Sequence, residues 1–278
     1  MIAYINNQFI DENLATLGIG DMSIQRGFGV FDYFRTSNHQ PLFLDDYITR
    51  FFHSAKELRL RPLHTREELK GIIQKMITDN NLASSGFRLI LTGGYSPDNF
   101  TPVTPNFIVI QQPITLPSAE KFQKGLSILL HEYQRDVPYA KSINYLMSIY
   151  LLDKIRAENA DDVLYHKNGT ILEFPRANVF IVTKGKVVVT PSLDILHGIT
   201  RQKVLELAVK HYRTEQRPVT IDELKNAEEI FLTSTTKRIL PVLKINQQAI
   251  GNGNPGPVTK HLLSLFTVFE ESVLQKIK

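Results

Sequence analysis

Between Pro113 and Lys124 the sequence changes character: two prolines, Pro113 and Pro117, accompany little apolar content. Proline lacks the N–H that a helix interior or a central strand requires, so neither element runs through this stretch. The break divides the chain of 278 residues into a domain over residues 1–112, a linker over 113–124 and a second domain over 125–278. Both parts are long enough to bury a core.

The first part mixes strand and helix signals. Ala3–Ile5, a turn at Asn6-Asn7 and Gln8–Ile10 read as a hairpin, and Val30–Thr36 reads as a strand. Tyr47, Phe51, Ala55 and Leu58 at helical spacing predict a helix over Leu44–Leu58. A second helix starts at Thr65, which with Glu68 has capping-box spacing, and places Leu69, Ile72, Ile73, Met76 and Ile77 on one face. Phe87–Thr92 and Phe107–Gln111 are short apolar runs of strand type. The second part opens with a strand at Leu126–His131 and shows hairpin turns at Asn168-Gly169 and Lys184-Gly185-Lys186. Helices are predicted from Thr200 to Tyr212 and from Val258 to Leu274, Thr220 and Glu223 again have capping-box spacing, and Glu229–Leu232 is a strand. The class is α+β.

Composition narrows the chemistry. With 42% apolar and 22% charged residues, the chain has the mix of a soluble globular protein. A net charge of +4 spread along the chain argues against a nucleic-acid partner, though it can supply local positive charge to a small anion. No cysteine is present, which excludes disulfides, thiolate metal sites and a cysteine nucleophile and fits a reducing compartment. The N-terminus reads as a strand entering a turn rather than a signal peptide, and no run of about 18 apolar residues predicts a membrane span. A cytoplasmic protein is the expectation. The eight histidines are dispersed, so no metal site is expected, and the Gly-x-Ser-x-Gly elbow, the Walker loop and the dinucleotide fingerprint are all missing.

Six segments, in order, resemble those of class IV, or fold-type IV, pyridoxal-phosphate-dependent aminotransferases. That family includes branched-chain and D-amino acid aminotransferases and aminodeoxychorismate lyases. Arg50 within Thr49-Arg50-Phe51 resembles the phosphate arginine, and Ala140-Lys141-Ser142-Ile143-Asn144-Tyr145-Leu146 the cofactor-lysine segment. Leu172-Glu173 ahead of Asn178-Val179-Phe180 resembles the glutamate segment. Gly198-Ile199-Thr200-Arg201 is similar to the phosphate turn, and Thr233-Ser234-Thr235-Thr236 with Pro241-Val242 to the second phosphate segment. Gly256-Pro257-Val258-Thr259-Lys260 resembles the C-terminal signature of the branched-chain enzymes.

The resemblance implies a two-domain enzyme with a smaller N-terminal α/β sandwich and a larger, β-barrel-like C-terminal domain with helices. It also implies a homodimer whose site lies between the domains. Lys141 would carry pyridoxal 5'-phosphate as a Schiff base and move the substrate's α-proton. Glu173 would face the pyridine nitrogen, where a carboxylate favours the protonated ring. Arg50, Ser234 and Thr235 would join the backbone N–H groups of Ile199 and Thr200 around the phosphate, and Tyr145 would touch the ring oxygen. Without the resemblance, Thr200 reads as an N-cap and Arg50 as a snorkelling surface arginine.

For the substrate carboxylate the pattern is a mosaic. In the loop Gly93–Phe100, Asp98 and Phe100 fall where the familiar D-amino acid enzymes place an arginine and a histidine, and Phe31 falls where they have a tyrosine. Arg88 matches the strand arginine of branched-chain enzymes but lacks their Tyr-x-Arg-Pro surroundings, and Arg26 is a second candidate. Thr236 completes the substrate-facing set. The expected reaction is transfer of an amino group between an amino acid, branched-chain L or D, and a 2-oxo acid. The alternative is an aminodeoxychorismate lyase.

Overall fold

A computed structural model describes residues 1–276, and the chain divides into two compact units. The first comprises Met1–Thr115 and Tyr139–Asn144 with residues 274–276; the second comprises Leu116–Pro138 and Tyr145–Val273.

The first unit is built on a six-stranded antiparallel sheet. Its order runs from Gln8–Asp11 through Ile2–Ile5, Phe107–Pro113, Ser84–Thr92 and Gly29–Ser37 to the short edge Gln40–Pro41. One face is covered by the helices Leu44–Glu57 and Arg66–Asn80, which bury Tyr47, Ile48, Phe51 and Ala55 from one and Leu69, Ile73, Met76 and Ile77 from the other. The capping box forms as the spacing predicts: Glu68 N donates to Thr65 Oγ1 and Thr65 N to Glu68 Oε2. Alternation along Gly29–Ser37 sends Val30, Asp32 and Phe34 into this helix-covered core, where Phe34 stacks on Phe87 with ring centroids 5.0 Å apart. Phe31 and Tyr33 point to the other face.

The second unit holds a nine-stranded mixed sheet, curled as a half-barrel. Its path is Thr214–Gln216, Val188–Thr190, Asn178–Val182, Glu229–Ser234, Arg238–Ile245, Leu126–Glu132, Asp162–Lys167 and Thr170–Ile171, with Gln248–Ala249 on Arg238–Ile245. Ile128, Leu164, Val179, Ile181, Ile230 and Leu232 make its main core.

The sequence-based boundaries differ from this in several places. The stretch 113–124, read as linker, contains the helix Ala119–Lys124, capped by Ser118 and anchored by Phe122. Residues 139–144, assigned to the second domain, bond to the first unit's sheet. The strand Arg238–Ile245 has no counterpart in the sequence reading because it contains Pro241, which ordinarily demotes a central strand. Proline is tolerated there because pairing with Leu126–Glu132 begins one residue later, at Val242. The helix predicted from Thr200 to Tyr212 spans Ile199–Ala208.

Candidate active site

In the first unit the lysine segment lies as an extra bridge along Gly29–Ser37. Phe31 N donates to the Lys141 carbonyl at 2.9 Å, Ile143 N to the Gly29 carbonyl at 3.0 Å, and Val30 pairs with Ser142. Lys141 N donates to Ser54 Oγ at 3.0 Å, so both sides of the lysine backbone are fixed. The close approach requires a glycine at position 29: a Cβ there would lie 2.8 Å from the Leu91 carbonyl oxygen and 3.1 Å from Ile143 Cδ1. The Lys141 side chain crosses the Phe31 ring, with Nζ 4.5 Å from its centroid. Arg88, one strand away, stands over the same ring with Cζ at 5.7 Å.

On the opposite, helix-covered face, Asp32 is fully buried and accepts from Arg50 Nε at 2.9 Å and Nη2 at 2.6 Å. Arg50 is thus no snorkelling surface arginine; its side chain is only 10% exposed. A forked guanidinium is the partner that a buried carboxylate needs.

In the second unit Glu173 is 5% exposed and engaged on both oxygens. Arg135 Nε donates to Oε1 at 2.8 Å, with Nη2 at 2.7 Å from the same oxygen, and Leu196 N donates to Oε2 at 3.0 Å. Arg135 also reaches the Pro138 carbonyl. Beside this pair the Tyr165 hydroxyl is pushed well above the usual phenol range, first by burial and then by neighbouring Tyr133, Asp162 and Glu173.

The helix Ile199–Ala208 starts without a side-chain cap. Its N-cap is Gly198, not Thr200, and a Cβ at Gly198 would lie 2.1 Å from Asn178 Oδ1, so a capping side chain has no room. Ile199, Thr200 and Arg201, whose N–H groups open the helix, are each under 7% exposed. Thr233 Oγ1, buried and without a partner, belongs to the residue paired with Asn178 across the sheet, on the same face. A positive helix end without a capping side chain, beside a buried hydroxyl that has no hydrogen-bond partner among the described residues, describes a place for an anion.

A family model described as amino-transferase class IV matches residues 29–245. The chain belongs to the class IV aminotransferases. Members of this family use pyridoxal phosphate as cofactor, and the chain is an enzyme of transamination. The D-alanine aminotransferase of Bacillus licheniformis is 30% identical over 99% of this chain and 98% of its own. A putative branched-chain-amino-acid aminotransferase of Methanocaldococcus jannaschii is 32% identical over 96% of this chain and 95% of its own. Among solved structures, the branched-chain amino acid aminotransferase of Escherichia coli superposes with a TM-score of 0.89 at 25% identity, covering 96% of this chain and 93% of that one. The Thermoproteus uzoniensis branched-chain aminotransferase with norvaline gives 0.86 at 25% identity, over 97% and 94%.

The residues of this class IV aminotransferase suit such a cofactor. The uncapped turn at Gly198 and the orphaned Thr233 hydroxyl fit a phosphate. Glu173 is a buried carboxylate, the group that a protonated ring nitrogen would pair with. The other expected residues fall as follows. Ser234, Thr235 and Thr236 lie at the turn after Glu229–Ser234, where Lys237 N donates to Ser234 Oγ at 3.1 Å. Tyr145 precedes the short helix Leu146–Tyr150. Arg26 ends the helix Met22–Arg26, exposed, and donates to the Gln25 carbonyl at 2.8 Å. The C-terminal signature serves the fold: Glu229 accepts from Val258 N, Thr259 N and Thr259 Oγ1, and any Cβ at Gly256 would collide with it.

Arg135, Ser54 and Asp32 escape the sequence reading. Arg135 and Glu173 are 38 positions apart, and no local pattern joins them. Gly198→Ala is expected to destabilise the phosphate turn by about 1–3 kcal/mol through overpacking, measurable as weaker binding of pyridoxal phosphate to the apoenzyme. Unchanged affinity would show that the turn can yield.

Proposed function

We propose that this aminotransferase moves the amino group of a D-amino acid to a 2-oxo acid, with Arg88 holding the substrate carboxylate. The observation that carries the carboxylate role of Arg88 is the placement of Lys141 Nζ and the Arg88 guanidinium over one phenyl ring. Among the described residues no carboxylate pairs with Arg88 or with Arg26, and an exposed arginine near the reactive amine is suited to an anionic substrate. The hand is taken from relatives named D-alanine aminotransferase.

Bound pyridoxal phosphate supplies an electron sink for the carbanion at the substrate's α-carbon. Lys141 Nζ holds the cofactor and takes and returns the α-proton, guided by a backbone that Ser54, Gly29 and Phe31 fix. Glu173, which accepts from Arg135 and the Leu196 N–H, would pair with the ring nitrogen. By the family resemblance, Ile199, Thr200, Ser234, Thr235 and Arg50 would hold the phosphate and Tyr145 the ring oxygen, and Phe31 and Thr236 would face the substrate.

A second reading, a branched-chain L-amino acid donor, is favoured by the loop Gly93–Phe100. Asp98 there accepts from Ser96 Oγ, Phe100 N, Thr101 N and Thr101 Oγ1, and these bonds hold its carboxyl far below the usual range. A fixed anion stands where the familiar D-type enzymes have a cation. The relatives named above are aminotransferases, which disfavours the lyase alternative.

Leu146, Ile149 and Tyr150, on one short helix, are 74%, 64% and 77% exposed, an apolar row that supports a homodimer. The cysteine-free composition supports a cytoplasmic location.

The test is steady-state transamination of D-alanine, D-glutamate, L-leucine and L-glutamate against 2-oxo acids. Arg88→Leu is expected to raise KM for the preferred donor by roughly tenfold to a hundredfold, as loss of a charge-assisted bond implies. An unchanged KM removes Arg88 from this role, and turnover of L-donors alone replaces the D reading by the branched-chain one.

A further inference from the structure

A buried cation is costly unless an opposite charge compensates for the lost water. Arg201 is such a cation. It is 4% exposed and stands in the first turn of the helix Ile199–Ala208. Its Nε donates to Thr190 Oγ1 at 3.2 Å, and its Nη2 to the Pro191 carbonyl at 2.9 Å and Gln216 Oε1 at 3.0 Å. All three acceptors are neutral, and no acidic side chain among the described residues pairs with it. Burial draws its pKa down to about 10, which leaves it charged at neutral pH.

The same turn carries the uncapped N–H groups, and the partnerless Thr233 hydroxyl lies on the sheet face that Gly198 touches through Asn178. Missing counter-charge, a helix start without a capping side chain and an orphaned hydroxyl are three deficits that one anion corrects together. We propose that Arg201 is a positioning residue for the cofactor phosphate, a buried charge locked by Thr190, Pro191 and Gln216 that makes the helix start selective for a dianion. This rests on the pyridoxal phosphate reading above. The charge acts through space, in surroundings where screening is weaker than in water.

The test titrates apoenzyme of the full chain, by calorimetry, with inorganic phosphate, pyridoxal phosphate and unphosphorylated pyridoxal. Arg201→Gln is expected to weaken the two phosphate-bearing ligands roughly tenfold, the scale of a partly buried charge at a helix end, and pyridoxal by no more than about twofold. Arg201→Lys keeps the charge but not the fork, and is expected to stay within about threefold of the unaltered protein for all three. Equal weakening of pyridoxal phosphate and pyridoxal in Arg201→Gln would make Arg201 a scaffold residue and overturn the proposal. So would a loss in Arg201→Lys as large as in Arg201→Gln. Should Arg201→Gln fail to fold, Arg201→Lys decides alone: a retained preference for phosphate-bearing ligands supports the proposal, and a lost one overturns it. If the unaltered apoenzyme bound inorganic phosphate in an Arg201-dependent way but no pyridoxal phosphate, the cofactor reading would fail and the anion role of Arg201 would stand.

Discussion

Replacing Lys141 by alanine is expected to lower transamination by about two to four orders of magnitude, the range of a positioned acid–base group, while thermal stability changes little. The lysine backbone is held by Ser54 and Phe31, and both bonds use main-chain atoms of residue 141 that alanine retains, while Gly29 accepts from Ile143 N two residues on. What disappears is the amine over the Phe31 ring. Turnover and the absorbance of the lysine-bound cofactor are the readouts. A Lys141→Ala variant that lost activity together with its melting transition would indicate damage to the bridge rather than to the chemistry, and retained turnover would remove Lys141 from the mechanism.

The second large effect is expected at Arg135, through its pair with Glu173. Arg135→Leu leaves a carboxylate in a site where its side chain is 7% exposed, and breaking a buried pair from one side costs about 3–5 kcal/mol. The abandoned carboxyl is expected to take up a proton, because desolvation favours its neutral form. Activity at neutral pH should fall with stability and return in part as pH rises and the carboxyl ionises. The double variant Arg135→Leu/Glu173→Gln removes both charges, so it is expected to regain most of the stability and none of the activity. Denaturant unfolding and pH–rate profiles of Arg135→Leu, Glu173→Gln and the double variant separate the two effects. Additive stability losses in the double variant would show that the pair is not coupled.

The contrast between these two residues shows which features a single sequence carries. Lys141 is legible because its neighbours in the chain belong to a recognisable segment, and the capping box at Thr65 and Glu68 is legible because both members lie within one turn. Arg135 is not, since its meaning comes from Glu173, brought to it by the sheet from 38 positions away. Asp32 presents itself as an ordinary strand residue until the helix Leu44–Glu57 lays Arg50 against it. The helix start at Gly198 is hidden for a different reason: the glycine is demanded by contact with Asn178, and Thr200 two residues later offers the usual capping side chain as a decoy. Likewise, the attachment of Tyr139–Asn144 to the first unit depends on main-chain bonds to Gly29 and Phe31, which no composition shift near the prolines announces. Local signals mark elements and motifs; pairings over long separations decide which charges are compensated.

The most direct test of the transaminase reading is a half-reaction without acceptor. Purified enzyme loaded with pyridoxal phosphate is mixed with D-alanine, D-glutamate, L-leucine or L-glutamate in turn, following the cofactor absorbance and the 2-oxo acid released. The expected result is loss of the yellow absorbance with one donor class, one equivalent of 2-oxo acid per loaded chain, and full recovery of the colour on adding a 2-oxo acid. Absorbance that no donor changes, in a preparation that binds the cofactor through Lys141, would contradict transamination by this chain.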